Sequence, residues 1–300
     1  MTGAVPNLSV VIATPDHYRT IRKTIGFLRR QTVCRQLELV IVAPDEATLG
    51  VVTEELAEFG SWRVVEIGPG VTIGRANAAG IRAASAPVVA LAEDHSFPDP
   101  DWAAALIAAH RQPHVAVGPV ARNANPDSVV SQADFCMGYG RWAEPQSAGV
   151  QDFLPGHNSS YKRDLLLAYG DRLEAMMEAE TVLHWDLRAQ GHTLWLEPAA
   201  RTAHVNFRRW DAWLGAQFHA GRVFAAVRAR NWPWWRRVVF VGGSPLIPLV
   251  WLWRLWQISP ALVIGLAVDG LGQLAGYAMG VGGSARKMAR YEFHREDGRE

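Results

Sequence analysis

The chain has only two cysteines, Cys34 and Cys136, in 300 residues. They stand far apart and outside any metal-spaced pair, which excludes a disulfide framework and a cysteine-bound zinc site and fits a reducing compartment. Charge of one sign is also missing: 30 Lys and Arg stand against 29 Asp and Glu, so nothing points to a nucleic-acid partner. With 49% hydrophobic and 20% charged residues, the composition is that of a folded chain rather than a disordered one. No internal repeat or low-complexity tract is present. Met1 to Asn7 has no basic stretch, and the apolar run after it is too short for a signal segment. The turn Thr14-Pro-Asp-His17 holds no glycine-rich phosphate loop, which sets aside a dinucleotide-dependent oxidoreductase. What the chain has in excess is tryptophan, 13 in all, nine of them from Trp195 onward. Trp favours places where one end of a side chain is wet and the other apolar, as at a membrane interface.

The first third alternates two periods. Short β-branched runs at 8–13, 37–43, 63–67 and 87–92 read as buried strands. Between them, apolar residues at helical spacing predict helices: Tyr18, Ile21, Ile25 and Leu28, then Leu49, Val52 and Leu56, then 73–84, and a fourth at 100–110. This alternation predicts an α/β fold with a mostly parallel sheet covered on both faces. Ligands of such sheets bind beyond the carboxyl ends of the strands. Those ends carry Thr14 and Asp16, Asp45 and Glu46, and the cluster Glu93-Asp94-His95. The middle is mixed, with a turn-rich segment at 153–160 and a helix at 178–190 stopped by Gly191.

The end of the chain changes character. Residues 211–230 read as an amphipathic helix, basic at its far end. Two apolar stretches follow, 238–256 and 261–283, joined by the uncharged Gln257-Ile-Ser-Pro260. Each is about long enough to cross a hydrocarbon core of ~30 Å. Arg228, Arg230, Arg236 and Arg237 precede the pair; Arg286, Lys287 and Arg290 follow it. A hairpin would put both basic flanks on one side, as a cytoplasmic face asks. A pair of core helices or an in-plane amphipathic anchor is the alternative, since Gly242, Gly243, Pro245 and Pro248 interrupt the first stretch and Asp269 lies in the second.

Carboxylate and imidazole at alternate positions of an extended segment point to one side. Glu93 and His95 are thus expected to share a divalent ion, with Asp94 facing the nucleotide or the backbone. A solvated strand end beside a helix start, with Asp99 and Asp101 as caps, is the plain alternative.

The order of segments resembles the family 2 glycosyltransferases, enzymes of the GT-A fold. The resemblance is carried by Ser9-Val-Val-Ile-Ala-Thr14, by Glu38-Leu-Val-Ile-Val42, and by Gly74-Arg-Ala-Asn-Ala-Ala-Gly-Ile81. It continues in Val88-Val-Ala-Leu-Ala-Glu-Asp-His95 with Pro98 and Trp102, then Gly156-His-Asn-Ser-Ser-Tyr161, Glu180-Thr-Val-Leu183 with Leu187 and Gly191, and Glu197-Pro198 with His204. It spans about residues 8–228.

The resemblance implies a GT-A (Rossmann-like) domain over 1–210. An amphipathic basic linker helix follows at 211–237, then a hydrophobic helical hairpin or membrane anchor at 238–283 and a polar tail at 284–300. It implies a sugar transferred from a nucleotide-diphosphate donor to an acceptor hydroxyl, inverting and metal-dependent. Glu180 falls where the family places the base that deprotonates the acceptor; the alternative reading makes it one more surface carboxylate on a charged helix, solvated among Glu174, Glu178 and Asp186. Thr14, Asp16, Asp45, Arg75, Asn77 and Asp94 fall on the donor side. Gly156, His157, Asn158 and Ser159 form the acceptor-side loop. Glu93, His95 and His204 would hold the ion, Mn²⁺ or Mg²⁺, with imidazole favouring Mn²⁺.

The expected partners are a nucleotide sugar, a glycan or lipid-linked acceptor and a membrane surface or bilayer, without nucleic acid; a homodimer stays open. The expected location is the inner membrane with the catalytic domain facing the cytoplasm. Two departures stand out: Ala43 occupies the place where the family has an aspartate, with Asp45 two residues on, and the metal motif ends in histidine. They keep a second reading open, a catalytically inactive, membrane-anchored nucleotide-sugar or glycan-binding protein of the same fold.

Overall fold

In a computed structural model the described residues are 5–252 and 259–293. Trp253 to Trp256, Gln257, Ile258 and the tail beyond Phe293 carry part of the expected hairpin and polar tail, and they lie outside the described residues. In chain order the elements are β1 (Leu8–Ala13), α1 (Tyr18–Arg29), β2 (Leu37–Ala43), α2 (Glu46–Leu49), α3 (Thr53–Leu56), β3 (Ser61–Glu66), α4 (Ile73–Ala83), β4 (Val88–Ala92), β5 (Ser96–Pro98), α5 (Trp102–Ala109) and β6 (Ala116–Asn123). Then come α6 (Val129–Tyr139), β7 (Gly149–Gln151), β8 (Ser160–Lys162), α7 (Arg163–Leu167), α8 (Leu173–Met177), α9 (Glu180–Ala189) and β9 (Leu194–His204). The last helices are α10 (Trp210–Arg228), α11 (Trp234–Gly243), α12 (Ile247–Leu252), α13 (Pro260–Met279) and α14 (Ser284–Glu292).

The chain divides into two compact units: Met1–Arg122 with Trp142–Ala203, and Asn123–Arg141 with His204–Glu300. The first holds the sheet, in the order β3-β2-β1-β4-β8-β6-β9-β5, with β7 on β9. β3, β2, β1 and β4 run parallel, and β8 is antiparallel to both β4 and β6. This is the mixed, mostly parallel sheet that the strand-helix alternation predicts. The apolar residues chosen by spacing do fill the core: Ile21, Ile25 and Leu28 of α1 pack with Ile12, Leu39, Ile41, Trp102 and Leu106. Register matters for function. Ile12 pairs with Ala92, and Ala13 with Val42, so the carboxyl ends of β1, β2 and β4 stand level.

In the second unit, α6 packs on α10 and α13 through Val130, Ala133, Trp213, Ala216, Leu262 and Leu266. The Trp213 indole donates to the Asp134 carboxylate at 2.9 Å, so this buried aromatic is satisfied at both ends. Further along, Ala225, Ala229 and Tyr277 gather Trp232, Phe240 and Val241.

The first apolar stretch is not one long helix. It breaks into α11, a 3₁₀ turn at Ser244–Leu246 and α12, where the Gly242-Gly243 pair weakens the helix and Pro245 cannot donate to it. The second stretch is continuous: Ser259 caps α13, its side chain accepting from Leu262 N at 3.2 Å, with Pro260 at the first turn. Among the described residues α13 is the one helix long and apolar enough to cross a membrane, and half of it is buried.

Candidate active site

β4 ends at Ala92, and Glu93, Asp94 and His95 form a tight turn into β5 rather than the extended segment expected. All three are buried. The Thr24 hydroxyl donates to Asp94 O at 3.0 Å and to Ser96 O at 3.3 Å, which pins the turn onto α1. The turn, not a pleat, brings the side chains together. His95 Nδ1 meets Asp94 Oδ1 at 2.6 Å, and His95 Nε2 lies 3.7 Å from Glu93 Oε1. Asp94 therefore orients the imidazole, the place that an outer carboxylate takes behind a metal-binding histidine. A buried carboxylate beside a carboxylate-backed imidazole is a donor set suited to a divalent ion of intermediate softness.

The 153–160 loop closes on this turn. His157 Nδ1 stands 3.1 Å from Glu93 Oε1, and the Asn158 amide donates to Glu93 Oε2 at 3.4 Å. Asn158 holds φ +61°, a left-handed conformation that few residues other than glycine adopt. It is over-determined there: its N–H donates to Leu91 O at 2.7 Å, and its carbonyl accepts from the Trp102 indole at 3.2 Å. Ser159 is buried and donates to Pro155 O at 2.5 Å. Such strain held by several contacts is typical of functional loops.

Gly156 carries the loop to Glu180, the first residue of α9. A Cβ on Gly156 would stand 2.9 Å from Glu180 Oε2 and 3.0 Å from its Cδ, so the carboxylate lies over the bare glycine. The structure thus lines up Glu93, His157, Gly156 and Glu180 in one continuous row.

Three side chains to which sequence reasoning gave no site role hold this row. Glu178, read there as a solvated neighbour, is partly buried. It accepts from the Thr72 hydroxyl at 2.5 Å and from Gly74 N at 3.1 Å, so it sits at the positive end of α4 and fixes the start of α9. Burial raises its carboxyl above the usual range. Tyr161 and His184 are fully buried. Leu154 N–H donates to His184 Nδ1 at 3.4 Å. That leaves the proton on Nε2, which meets the Tyr161 oxygen at 2.9 Å. Burial drives His184 down to about 3, and burial followed by the Glu180 charge drives the Tyr161 phenol up. No single-sequence signal marks these residues, because their partners lie 23 to 106 positions away.

The residues expected on the donor side are less uniform. Thr14 is buried past the end of β1 and donates to Asp16 Oδ1 at 3.2 Å and His17 O at 3.3 Å. Asp16 in turn accepts from His17 N at 2.6 Å and Thr20 Oγ1 at 2.7 Å, shaping the entry to α1. Asp45 caps α2 by accepting from Thr48 N at 2.6 Å, a bond that lowers its carboxyl. Arg75 turns its guanidinium onto Ile67 O and, at 3.0 Å, Pro69 O, which ties down the β3–α4 loop. Asn77 is buried on α4. His204 ends β9 and is buried. Its Nδ1 lies 2.9 Å from Asn206 Oδ1, and its ring rests on Tyr139 at 4.4 Å.

Level strand ends, a buried acidic turn and a carboxylate opening the helix across from it define the GT-A class of α/β proteins. The glycosyl transferase family 2 model matches residues 9–170. The chain belongs to glycosyl transferase family 2. Among solved structures it is similar to "GalNAc-T7 with UDP, GalNAc and Mn2+" (15% identity, TM-score 0.52), covering 69% of this chain and 44% of that one. It is also similar to S. aureus TarS (15% identity, TM-score 0.50), covering 80% and 47%. A third structure is S. aureus TarS 1-349 in complex with UDP (17% identity, TM-score 0.49), covering 75% and 66%. The chain spans less than two thirds of each of these proteins, and at such identities the likeness is one of fold. Comparison with curated proteins finds no match.

Proposed function

We propose that this chain is an inverting, metal-dependent glycosyltransferase that moves a sugar from a nucleoside-diphosphate donor to an acceptor hydroxyl. The observation that carries the reading is the row from Glu93 through His157 and Gly156 to Glu180. It joins a diphosphate-side turn to an acceptor-side base through one loop. Glu93 and His95, with His204 as the proposed third ligand, would hold Mn²⁺ or Mg²⁺. Bound there, the ion would supply positive charge for the leaving diphosphate. Asp94 keeps the His95 ring in its ligating orientation. Thr14, Asp16, Asp45 and Asn77 are proposed to line the nucleoside. Arg75 is proposed there as well, acting through the loop it ties down. Glu180 takes the proton of the acceptor hydroxyl as that oxygen attacks the anomeric carbon opposite the leaving group. His157, Asn158 and Ser159 shape the acceptor side. The proposed acceptor is a lipid-linked or envelope glycan at the cytoplasmic face of the inner membrane.

The experiment is donor turnover. Purified protein with Mn²⁺ is expected to release nucleoside diphosphate from at least one common nucleotide sugar, with loss on chelation and weaker Mn²⁺-dependent donor binding in His95→Ala. Donor binding without any release, with or without added acceptors, would instead favour a binding protein of the same fold, the reading that Ala43 and the altered metal motif keep in play.

A further inference from the structure

α13 is arranged inside out. At about 100° per residue, Val263, Ile264, Ala267, Leu271, Leu274 and Ala278 share one face; five of the six are exposed outright and Leu274 is partly so. The opposite face holds the helix's polar residues, Asp269 and Gln273, hydrogen-bonded to each other at 2.8 Å. A helix lying on a water-facing protein surface shows the reverse pattern. α11 repeats the arrangement. Phe240 and Val241 pack inward, while Trp234, Trp235, Val238 and Val239 are each more than half exposed.

Charge says what covers these faces. Between residues 212 and 291 the only acidic residue is Asp269, against nine Arg and Lys. Arg230 and Arg236 are exposed beside the α11 tryptophans, and Arg286, Lys287 and Arg290 are exposed on α14. Arg236 lies over the Trp232 ring, 4.0 Å from its centre. Apolar rows bordered by Trp and Arg suit the boundary between acyl chains and anionic headgroups.

The packing of α13 argues against crossing. Gly272 and Gly276 lie against the carbonyls of Phe218 and Arg222, and Gly221 against that of Asp269. The backbones of α10 and α13 therefore touch along most of their length. Arg222 donates to Gly280 O at 2.9 Å, and Arg228 to the Tyr277 hydroxyl at 3.0 Å. A spanning α13 would carry α10, with Arg222, His219 and Gln217, into the hydrocarbon core, at a cost of several kcal/mol. α11, at 10 residues, reaches only about 15 Å.

We infer that the second unit is a monotopic membrane-docking module: the outward faces of α11 and α13 lie in one leaflet of an anionic bilayer, and neither helix crosses it. This deepens the membrane placement proposed above. Its test reads lipid binding without sugar transfer, so it can fail while the transferase reading stands, and the reverse.

The full-length protein is floated with vesicles of phosphatidylcholine containing about one third phosphatidylglycerol, and with phosphatidylcholine alone. It is expected to float with the anionic vesicles, to come off in alkaline carbonate, and to bind about tenfold or more weakly as Trp234→Ser/Trp235→Ser or as Leu271→Glu. Ile264→Cys gives a reading that leaves the apolar rows nearly intact, because Cys34 and Cys136 are buried and leave one site for an environment-sensitive dye. Its quenching is expected to be strongest with bromines placed shallow in the acyl chain, with tags at both chain ends cleaved from the same side. Failure of the wild type to bind either vesicle would overturn the inference. So would carbonate resistance with one tag protected, the mark of a spanning helix. A stable dimer in solution that Leu271→Glu splits, without lipid binding, would assign the faces to a second copy instead.

Discussion

Glu180 and Gly156 make one device out of two residues on different elements. The proposed base must keep its carboxylate within hydrogen-bond reach of the acceptor hydroxyl, and the bare backbone of Gly156 leaves room for the Glu180 carboxylate to lie over it. Glu180→Gln keeps the shape and removes the basicity. Transfer is expected to fall by about 10²–10⁴-fold while donor affinity stays within a factor of two or so. Gly156→Ala keeps the basicity and moves the group, since its methyl would stand inside ordinary contact with Oε2 and Cδ. It is expected to lower kcat by roughly tenfold or more with donor binding unchanged. The pair is checked by single-turnover transfer beside isothermal titration with the nucleotide sugar. If both variants lose donor binding along with turnover, Glu180 is structural.

At the scale of elements, the joint between α4 and α9 is held by Glu178. Its carboxylate takes up the Thr72 hydroxyl and the Gly74 N–H, so one side chain satisfies the start of one helix and sets the first residue of another. Glu178→Ala leaves both donors buried without that partner and is expected to cost about 1–3 kcal/mol, read as a lower Tm. Glu178→Gln keeps an acceptor and should recover about half. A loss of kcat beyond that explained by unfolding would show that the joint also places Glu180.

The same scale separates what the sequence made legible from what it did not. β1, β2 and β4 with their helices were readable because periods of 2 and 3.6 are local signals. So was the level carboxyl edge of these strands, because strand ends follow from strand spans. The turn geometry of Glu93 to His95 was not, since an extended segment and a tight turn give the same three letters. The break of the first apolar stretch into α11 and α12 had a visible cause in Gly242, Gly243 and Pro245. The Glu178 joint and the Tyr161–His184 pair rest on contacts between distant positions, which no local pattern encodes.

At the scale of the whole molecule, acid should act on the sheet unit through histidines that the fold keeps neutral. Burial lowers His184 from 6.5 to about 3 and His110 from 6.5 to about 4. Both folded values lie below the unfolded one, so from pH 6.5 downward the unfolded chain binds protons that the folded chain refuses. Stability is therefore full above pH 6.5 and falls as the pH drops toward 4, each histidine contributing a slope that approaches about 1.4 kcal/mol per pH unit. Glu38, buried on β2, adds a loss at still lower pH. Burial alone would raise its carboxyl, but hydrogen bonds from Ser9 and Ser85 and the charge of Arg63 bring it below its ordinary value, so its share is present above that ordinary range and vanishes on further acidification. Urea melts at pH 7.5, 6 and 5 are expected to show a falling midpoint with a proton uptake near two on unfolding at the acid end. His184→Gln, which can still accept from Leu154 N, should remove one of those two protons while leaving the neutral-pH midpoint within about 1–2 kcal/mol. An unchanged slope in that variant would mean that His184 is protonated in the fold, with both ring nitrogens donating, so that Nδ1 could not accept from Leu154 N.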